Sequence, residues 1–214
     1  MIRAYDSVYL EKAQAQLGRM LDFAVYEMHF PLSEFYALFL KSEVARRFSR
    51  GDCAILAGKS GVEAAEMVLD ESGIAHSRLE PDYPADRSPE YWTGWALAYY
   101  QWETGLSFDE IEQSVSIEAV RGMYEPYHEM DIRKFCDRMN ALYREAHSQT
   151  RLKARRRALG LSQGLLADLS GVSLRTIQQY EQRRKNINRA QAETLAMLAG
   201  ALECEMEDLL EKVD

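Results

Sequence analysis

Apolar side chains recur every three to four residues through most of the chain, the period of helices with one buried face. Over residues 6–28, Leu10, Ala13, Leu17, Met20, Leu21, Ala24 and Met28 make one stripe, with Asp6 as its cap. Pro31 and Ser33 mark a second start, and Phe35 to Phe48 reads as one helix with Phe35, Leu38, Phe39 and Phe48 inside, ended by Arg50-Gly51-Asp52. Ser60 and Glu63 have the spacing of a capping box for a short helix ending at Gly73. Ser88-Pro89 opens the next helix, which carries Trp92, Trp95, Tyr99 and Trp102 on one face. Ser107 and Glu110 form a second capping box, Ser116 begins a short helix ending near Gly122, and Asp131 caps a helix with Ile132, Phe135, Met139, Leu142 and Tyr143 inward. Residues 74–88, with Pro81 and Pro84, read as a connecting loop. No stretch shows convincing strand-like alternation, so the predicted fold class is all-α.

The pattern is densest after Thr150. Leu152 to Leu159 forms a helix, and the lack of Gly and Pro over residues 144–151 predicts that the preceding helix runs into it or stacks on it as a rigid arm. Ser162 is a good cap for a helix starting at Gln163, on which Leu165, Leu166 and Leu169 supply apolar positions. Gly171 can take the left-handed conformation that ends a helix. Ser173 then caps a second helix, to about Gln182, with Ile177 and Tyr180 spaced to pack inward and Val172 in the turn. Leu174, Arg175, Gln178 and Gln179 lie on its other faces. Arg donates a bidentate pair to guanine and Gln does the same to adenine, so this outward side suits major-groove readout.

These residues carry a resemblance. Residues 151–211 resemble the helix-turn-helix domain of the lambda and Cro phage-repressor family, also called the XRE family. LKARRRALG, SQGLLADLSG, SLRTIQQYEQ, RAQAETLAMLAGAL and EMEDLLE follow its five helices in order. The resemblance implies base contacts from Leu174, Arg175, Gln178 and Gln179, and a phosphate or supporting contact from Gln163. Glu203 stands where the family often has a helix-ending glycine, and Gly164-Leu165 replaces a polar or alanine pair. The expected organisation is an all-helical N-terminal domain over residues 1–148 and a five-helix, lambda-repressor-like DNA-binding domain over residues 149–214.

Charge sharpens this division. The net charge of −8 would by itself argue against nucleic acid. Residues 150–190, however, hold ten Lys or Arg against Asp168 and Glu181, whereas residues 1–149 hold 15 basic and 25 acidic residues. A basic segment set in an acidic protein is the electrostatic footprint of a DNA face. Arg183, Arg184 and Lys185, which follow the recognition helix, are expected at phosphates, and some of Lys153, Arg155, Arg156 and Arg157 join them; Ser173 at the start of that helix is also expected to bind DNA. Three scattered cysteines, Cys53, Cys136 and Cys204, suit a reducing cytosol. The N-terminus lacks a signal-peptide pattern and no apolar run reaches membrane-spanning length, so a cytoplasmic location is expected.

Other chemistry finds little support. Gly58-Lys59-Ser60 resembles the tail of a phosphate-binding loop, but the glycine required five residues before Gly58 is Cys53. His128-Glu129 begins a zinc motif whose second histidine position is Ile132. No metal site, cofactor or catalytic residue is expected, and the chain does not read as an enzyme. The expected function is that of a sequence-specific DNA-binding regulator, a repressor acting as a homodimer. The alternative is an antitoxin whose N-terminal domain neutralises a toxin, since LGRMLDFAV, GKSGVE and SPEYWTGWALAYYQW weakly resemble regulators associated with toxin–antitoxin operons. Trp92, Trp95, Tyr99 and Trp102 would then anchor the partner protein. A third reading is a small-molecule sensor, which needs a cavity lined by Trp92, Trp95 and Tyr99.

Overall fold

The computed structural model describes residues 3–76 and 87–213, so Pro81 and Pro84 of the expected loop lie outside the described residues. The chain divides into two compact units, Met1–Tyr143 and Arg144–Asp214. Among the described residues every regular element is helical.

The first unit is built round one helix. Asp6 accepts the Val8 N–H (3.0 Å) and caps a short 3-10 turn, Ser7–Tyr9, which leads into α1 (Leu10–Tyr26). Helices α2 (Leu32–Lys41), α3 (Glu43–Ser49), α4 (Cys53–Leu56) and α5 (Gly61–Glu71) follow. After them come α6 (Pro89–Thr104), α7 (Phe108–Ser114), α8 (Ile117–Gly122), α9 (Tyr124–Tyr127) and α10 (Ile132–Ala146). The expected helix over Phe35–Phe48 is two helices. Ser42 leaves the helical conformation and accepts the Ala45 N–H (3.2 Å), so it starts α3 rather than continuing α2. Both expected capping boxes are present, with Ser60 and Glu63 opening α5 and Ser107 and Glu110 opening α7.

Helix α1 is buried well beyond its apolar stripe. Gln14, Gln16 and Asp22 are buried with Leu17, Met20, Leu21 and Phe23. The Gln16 Nε2 donates to the carbonyls of Ile55 (2.7 Å) and Lys59 (3.0 Å), which offsets the desolvation of its N–H groups. Asp22 accepts from Arg19 (2.7 Å) and from the Ser88 hydroxyl (2.5 Å). Burial on several sides requires close neighbours, and glycines allow them. A Cβ on Gly18 would stand 2.8 Å from the Tyr91 carbonyl of α6, and one on Gly61 would stand 2.6 Å from the Gln16 carbonyl. A Cβ on Gly94 of α6 would run into the Leu17 carbonyl. Glu90 adds a polar tie, accepting from Tyr26 (2.8 Å) and Arg121 (2.5 Å).

The aromatic face of α6 turns largely inward. Trp92 and Trp102 are buried, while Trp95 and Tyr99 are half-buried. The Trp102 indole N–H donates to the Tyr5 carbonyl (2.9 Å), and the Arg3 guanidinium covers its ring. Trp92 meets Tyr124 and Phe135 edge-to-face at 5.7 and 5.4 Å. These residues are core first, which leaves Trp95 and Tyr99 with the accessible surface of the row.

The second unit contains α11 (Arg151–Ala158), α12 (Gln163–Ser170), α13 (Leu174–Glu181) and α14 (Ala192–Ala201), with 3-10 turns at Ile187–Arg189 and Met206–Leu209. The fifth expected helix is therefore one 3-10 turn. Leu152, Leu166, Val172, Ile177, Tyr180, Ile187, Leu198, Leu202 and Leu209 close one core. No continuous helix joins α10 to α11. The chain leaves helical geometry after Ala146, and Thr150 starts α11 afresh by accepting the Lys153 N–H (3.2 Å).

Candidate nucleic-acid interface

The geometry of α12 and α13 follows from three small residues. Ser162 accepts the Leu165 N–H (3.0 Å) and starts α12. Gly171, at φ +71°, ends it in the left-handed region. Ser173 accepts the Thr176 N–H (3.2 Å) and starts α13 two residues later. Leu166, Val172, Ile177 and Tyr180 are buried between the two helices and the rest of the core. Leu165 and Leu169, four residues apart, stay exposed. Leu169 thus departs from the expected packing face, because Leu166 and Ser170 occupy the inner side of α12.

With Ile177 and Tyr180 fixed inward, helical geometry turns Arg175 and Gln179 to the opposite side. Ser173, Leu174 and Arg175 are exposed, and Gln178 and Gln179 are half-buried. Gln182 is exposed just beyond them and extends the polar surface past the residues that the resemblance implies. Arg184 and Lys185 are exposed in the turn after α13, where Lys185 lies over the Tyr180 ring. The structure thus brings Arg175, Gln178, Gln179, Arg184 and Lys185 onto one stretch of chain with little of its polar surface used internally.

Two predicted site residues are committed elsewhere. The Gln163 amide donates to Glu181 (2.7 Å), at the far end of α13. Arg183, at φ +54°, donates to the His147 carbonyl (2.7 Å) and approaches Glu211 (3.7 Å). The basic run of α11 divides in the same way. Arg155 donates to the carbonyls of Leu202 (3.2 Å) and Glu203 (2.7 Å), satisfying acceptors at the end of α14. Arg156 is buried and grips Glu181 with both arms of its fork, at 2.6 and 2.9 Å, while donating to the Leu161 carbonyl (2.6 Å). Burial pushes the Glu181 carboxyl up, but the hydrogen bonds from Arg156 and Gln163 outweigh it and hold the group below the ordinary carboxylate range.

What remains is a set of uncommitted cations. Arg157, Arg175, Arg184 and Arg189 are exposed and pair with no carboxylate among the described residues. Beside Ser173 a shallow groove is lined by Thr176, Lys185, Arg189, Gln191 and Thr194. Arg189 and Gln191 precede α14, whose start has no side-chain cap, so its first N–H groups stay available to an acceptor. The sequence showed Arg189 as one charge among ten but gave no sign that the turn at Ile187 would fold it toward α13.

A two-helix unit with a buried inner face, a glycine turn and a polar outer face is the arrangement that enters the major groove. The helix-turn-helix family model matches residues 152–209. Residues 152–209 are a helix-turn-helix domain of the XRE type. The match covers about a quarter of the chain and stays within the second unit. Neither the curated proteins nor the solved structures compared with the chain gave a match. The helix-turn-helix family is one of DNA-binding regulators, and its likeness extends to no residue of the first unit. No helix among the described residues is long and apolar enough to cross a membrane.

Proposed function

We propose that this protein is a sequence-specific transcriptional regulator, a repressor that binds an inverted-repeat operator as a dimer. The carrying observation is the outward pair Arg175 and Gln179 on α13, opposite the buried Ile177 and Tyr180. In this reading Arg175 and Gln179 address base edges, Gln178 flanks them, and Leu174 meets a thymine methyl. Ser173, Arg184, Lys185 and Arg189 hold the phosphates. Gln163 acts through Glu181 and fixes the start of α12 against the end of α13. Arg183 contributes less than its neighbours, because its guanidinium already serves His147 and Glu211. One such domain reads few base pairs, which supports two copies on half-sites about one helical turn apart. The likeness to phage repressors supports the negative sign of control.

Selection of binding sites from a random duplex library by the purified full chain tests this reading. The expected result is enrichment of an inverted repeat, lost when Arg175 and Gln179 are both replaced by alanine. Recovery of unenriched duplex, or the same motif from the double variant, would overturn it.

A further inference from the structure

A second site lies in the first unit and owes nothing to the DNA-reading surface. A cavity of about 270 Å³ opens between α6 and the segment running through α9 to the start of α10. Its walls are mostly rings. Tyr91, Trp92 and Trp95 come from α6, and Tyr124, Tyr127 and His128 face them from the other side. The opposite wall is held in shape. Tyr124 and His128 stack at 4.1 Å with planes 11° apart, and the His128 Nδ1 donates to the Tyr124 carbonyl (2.9 Å). Trp92 is pinned by its edge-to-face contacts with Tyr124 and Phe135, so one wall stays put when the space is filled. Trp95 is half-buried, although the neighbouring Ala96, Leu97 and Ala98 are sealed in the core.

The lining chooses among ligand classes. Flat rings set at steep angles favour another flat ring, which finds stacked and edge-on partners at once. The volume exceeds the roughly 150 Å³ of a cavity that holds benzene, so one or two fused rings fit. A cage of this kind could also take an organic cation. The charge of the walls opposes that choice. Among the described residues the lining includes the Arg87 guanidinium, 4.8 Å from the centre of the Tyr91 ring, and the His128 imidazole, but no carboxylate. Glu125 and Glu129, the described carboxylates that flank His128, approach it no closer than 3.8 Å and are exposed to solvent. An anionic end beside Arg87 is complemented, whereas a cation would meet a like charge.

We infer that this cavity is a binding site for a small planar aromatic acid of one or two rings. The rings stack against Trp95 and Trp92, and the carboxylate pairs with Arg87. Tyr99 takes no part, because it turns to Trp102, where the ring centres are 5.6 Å apart. The three tryptophans make the test internal. Trp92 and Trp95 line the cavity, whereas the Trp102 indole N–H is held by Tyr5.

Indole-3-acetate, indole and phenyltrimethylammonium are titrated into the full chain while the three indole N–H resonances are followed, assigned with Trp95→Phe and Trp102→Phe. The expected result is saturable movement of the Trp92 and Trp95 signals with indole-3-acetate and a still Trp102 signal. Binding should weaken at least tenfold in Arg87→Ala, while neutral indole is unaffected by that change. Equal movement of all three signals, no saturation with the acid, or tighter binding of the ammonium probe would overturn the inference. Arg87 is exposed, so its replacement leaves the fold intact and the loss of affinity can be read directly.

Discussion

Arg156 of α11 holds Glu181, the last residue of α13, through two hydrogen bonds of 2.6 and 2.9 Å, with both side chains more than nine-tenths buried. This fork ties the first helix of the domain to the end of the recognition helix, and Gln163 joins it from α12. Removing one partner leaves a buried charge without its counter-ion, which typically costs about 3–5 kcal/mol. Arg156→Ala should therefore destabilise the second unit by that order. Replacing both partners with apolar residues of similar size, Arg156→Met with Glu181→Leu, should be far milder. Urea titration followed by amide exchange in α11 to α13 checks both, and equal losses in the single and double variants would contradict the account.

The same pair sets a pH dependence. Glu181 is held below its unfolded value of about 4.5, so the unfolded chain takes up its proton first as acid is added. The stabilisation is complete above that value and is lost as pH falls through the lower folded value. As pH falls below the unfolded value of about 4.5, the second unit should lose stability more steeply in the wild type than in Glu181→Gln. Denaturation midpoints across that range measure the difference, and parallel curves would remove Glu181 as the cause.

Gly94 of α6 meets the backbone of α1 so closely that a methyl group there would strike the Leu17 carbonyl. Backbone cannot swing aside as a flexible side chain can. Gly94→Ala should destabilise the first unit by about 1–3 kcal/mol or more, as overpacked interiors do. All three tryptophans lie in the first unit, so their fluorescence reports its unfolding alone. An unchanged midpoint would show that α6 moves away freely.

Glu203 carries a positive φ of +50°. A residue with a Cβ pays roughly 1–2 kcal/mol for that conformation, and glycine gives back part of the gain through its freer unfolded chain. Glu203→Gly should stabilise the second unit by about 0.5–1 kcal/mol. The Arg155 contact is to the Glu203 carbonyl and survives the change. Thermal melts of the two proteins compare directly, and a lower midpoint for the glycine variant would refute this.

Arg175 and Arg184 should part company on DNA. Arg175→Ala should cost roughly 1–3 kcal/mol on the preferred site and relax selectivity at one base pair per half-site. Arg184→Ala should weaken all sequences alike and lower the slope of log affinity against log salt by about one per domain. Anisotropy titrations at several salt concentrations, on matched and base-swapped duplexes, distinguish the two. Interchanged behaviour would mean that α13 lies in the groove differently.

Much of this architecture could be read from residue types. The sequence places Ser60, Ser88, Ser107, Ser116, Ser162 and Ser173 at helix starts, and each caps one. The reason is local, since a short hydroxyl can reach the N–H three residues on without help from the rest of the fold. Ser42 shows the limit of that logic. It sits in an unbroken apolar pattern from Phe35 to Phe48, and the periodicity hid the cap that splits it. The basic run of α11 shows another limit. Lys153, Arg155, Arg156 and Arg157 look alike in sequence, yet Arg155 serves the end of α14 and Arg156 serves Glu181, because their partners are brought in by tertiary packing. The burial of Gln14, Gln16 and Asp22 in α1 was illegible for a similar reason. Their partners, the Ile55 carbonyl and the Ser88 hydroxyl among them, are far away in the chain.

The glycine seams around α1 have an implication for how the first unit fails. Where bare Cα atoms let helices touch, little slack exists for one partner to drift while another stays seated. Loosening α6 would unseat Gly18 and Gly94 together and open the face that Gly61 presses against. Damage near Asp22 or Gln16 should then be felt at the aromatic cavity as well, since α6 both packs on α1 and supplies Tyr91, Trp92 and Trp95 to the cavity. The small molecule inferred to sit there would lose its walls in the same step as the helix that carries them.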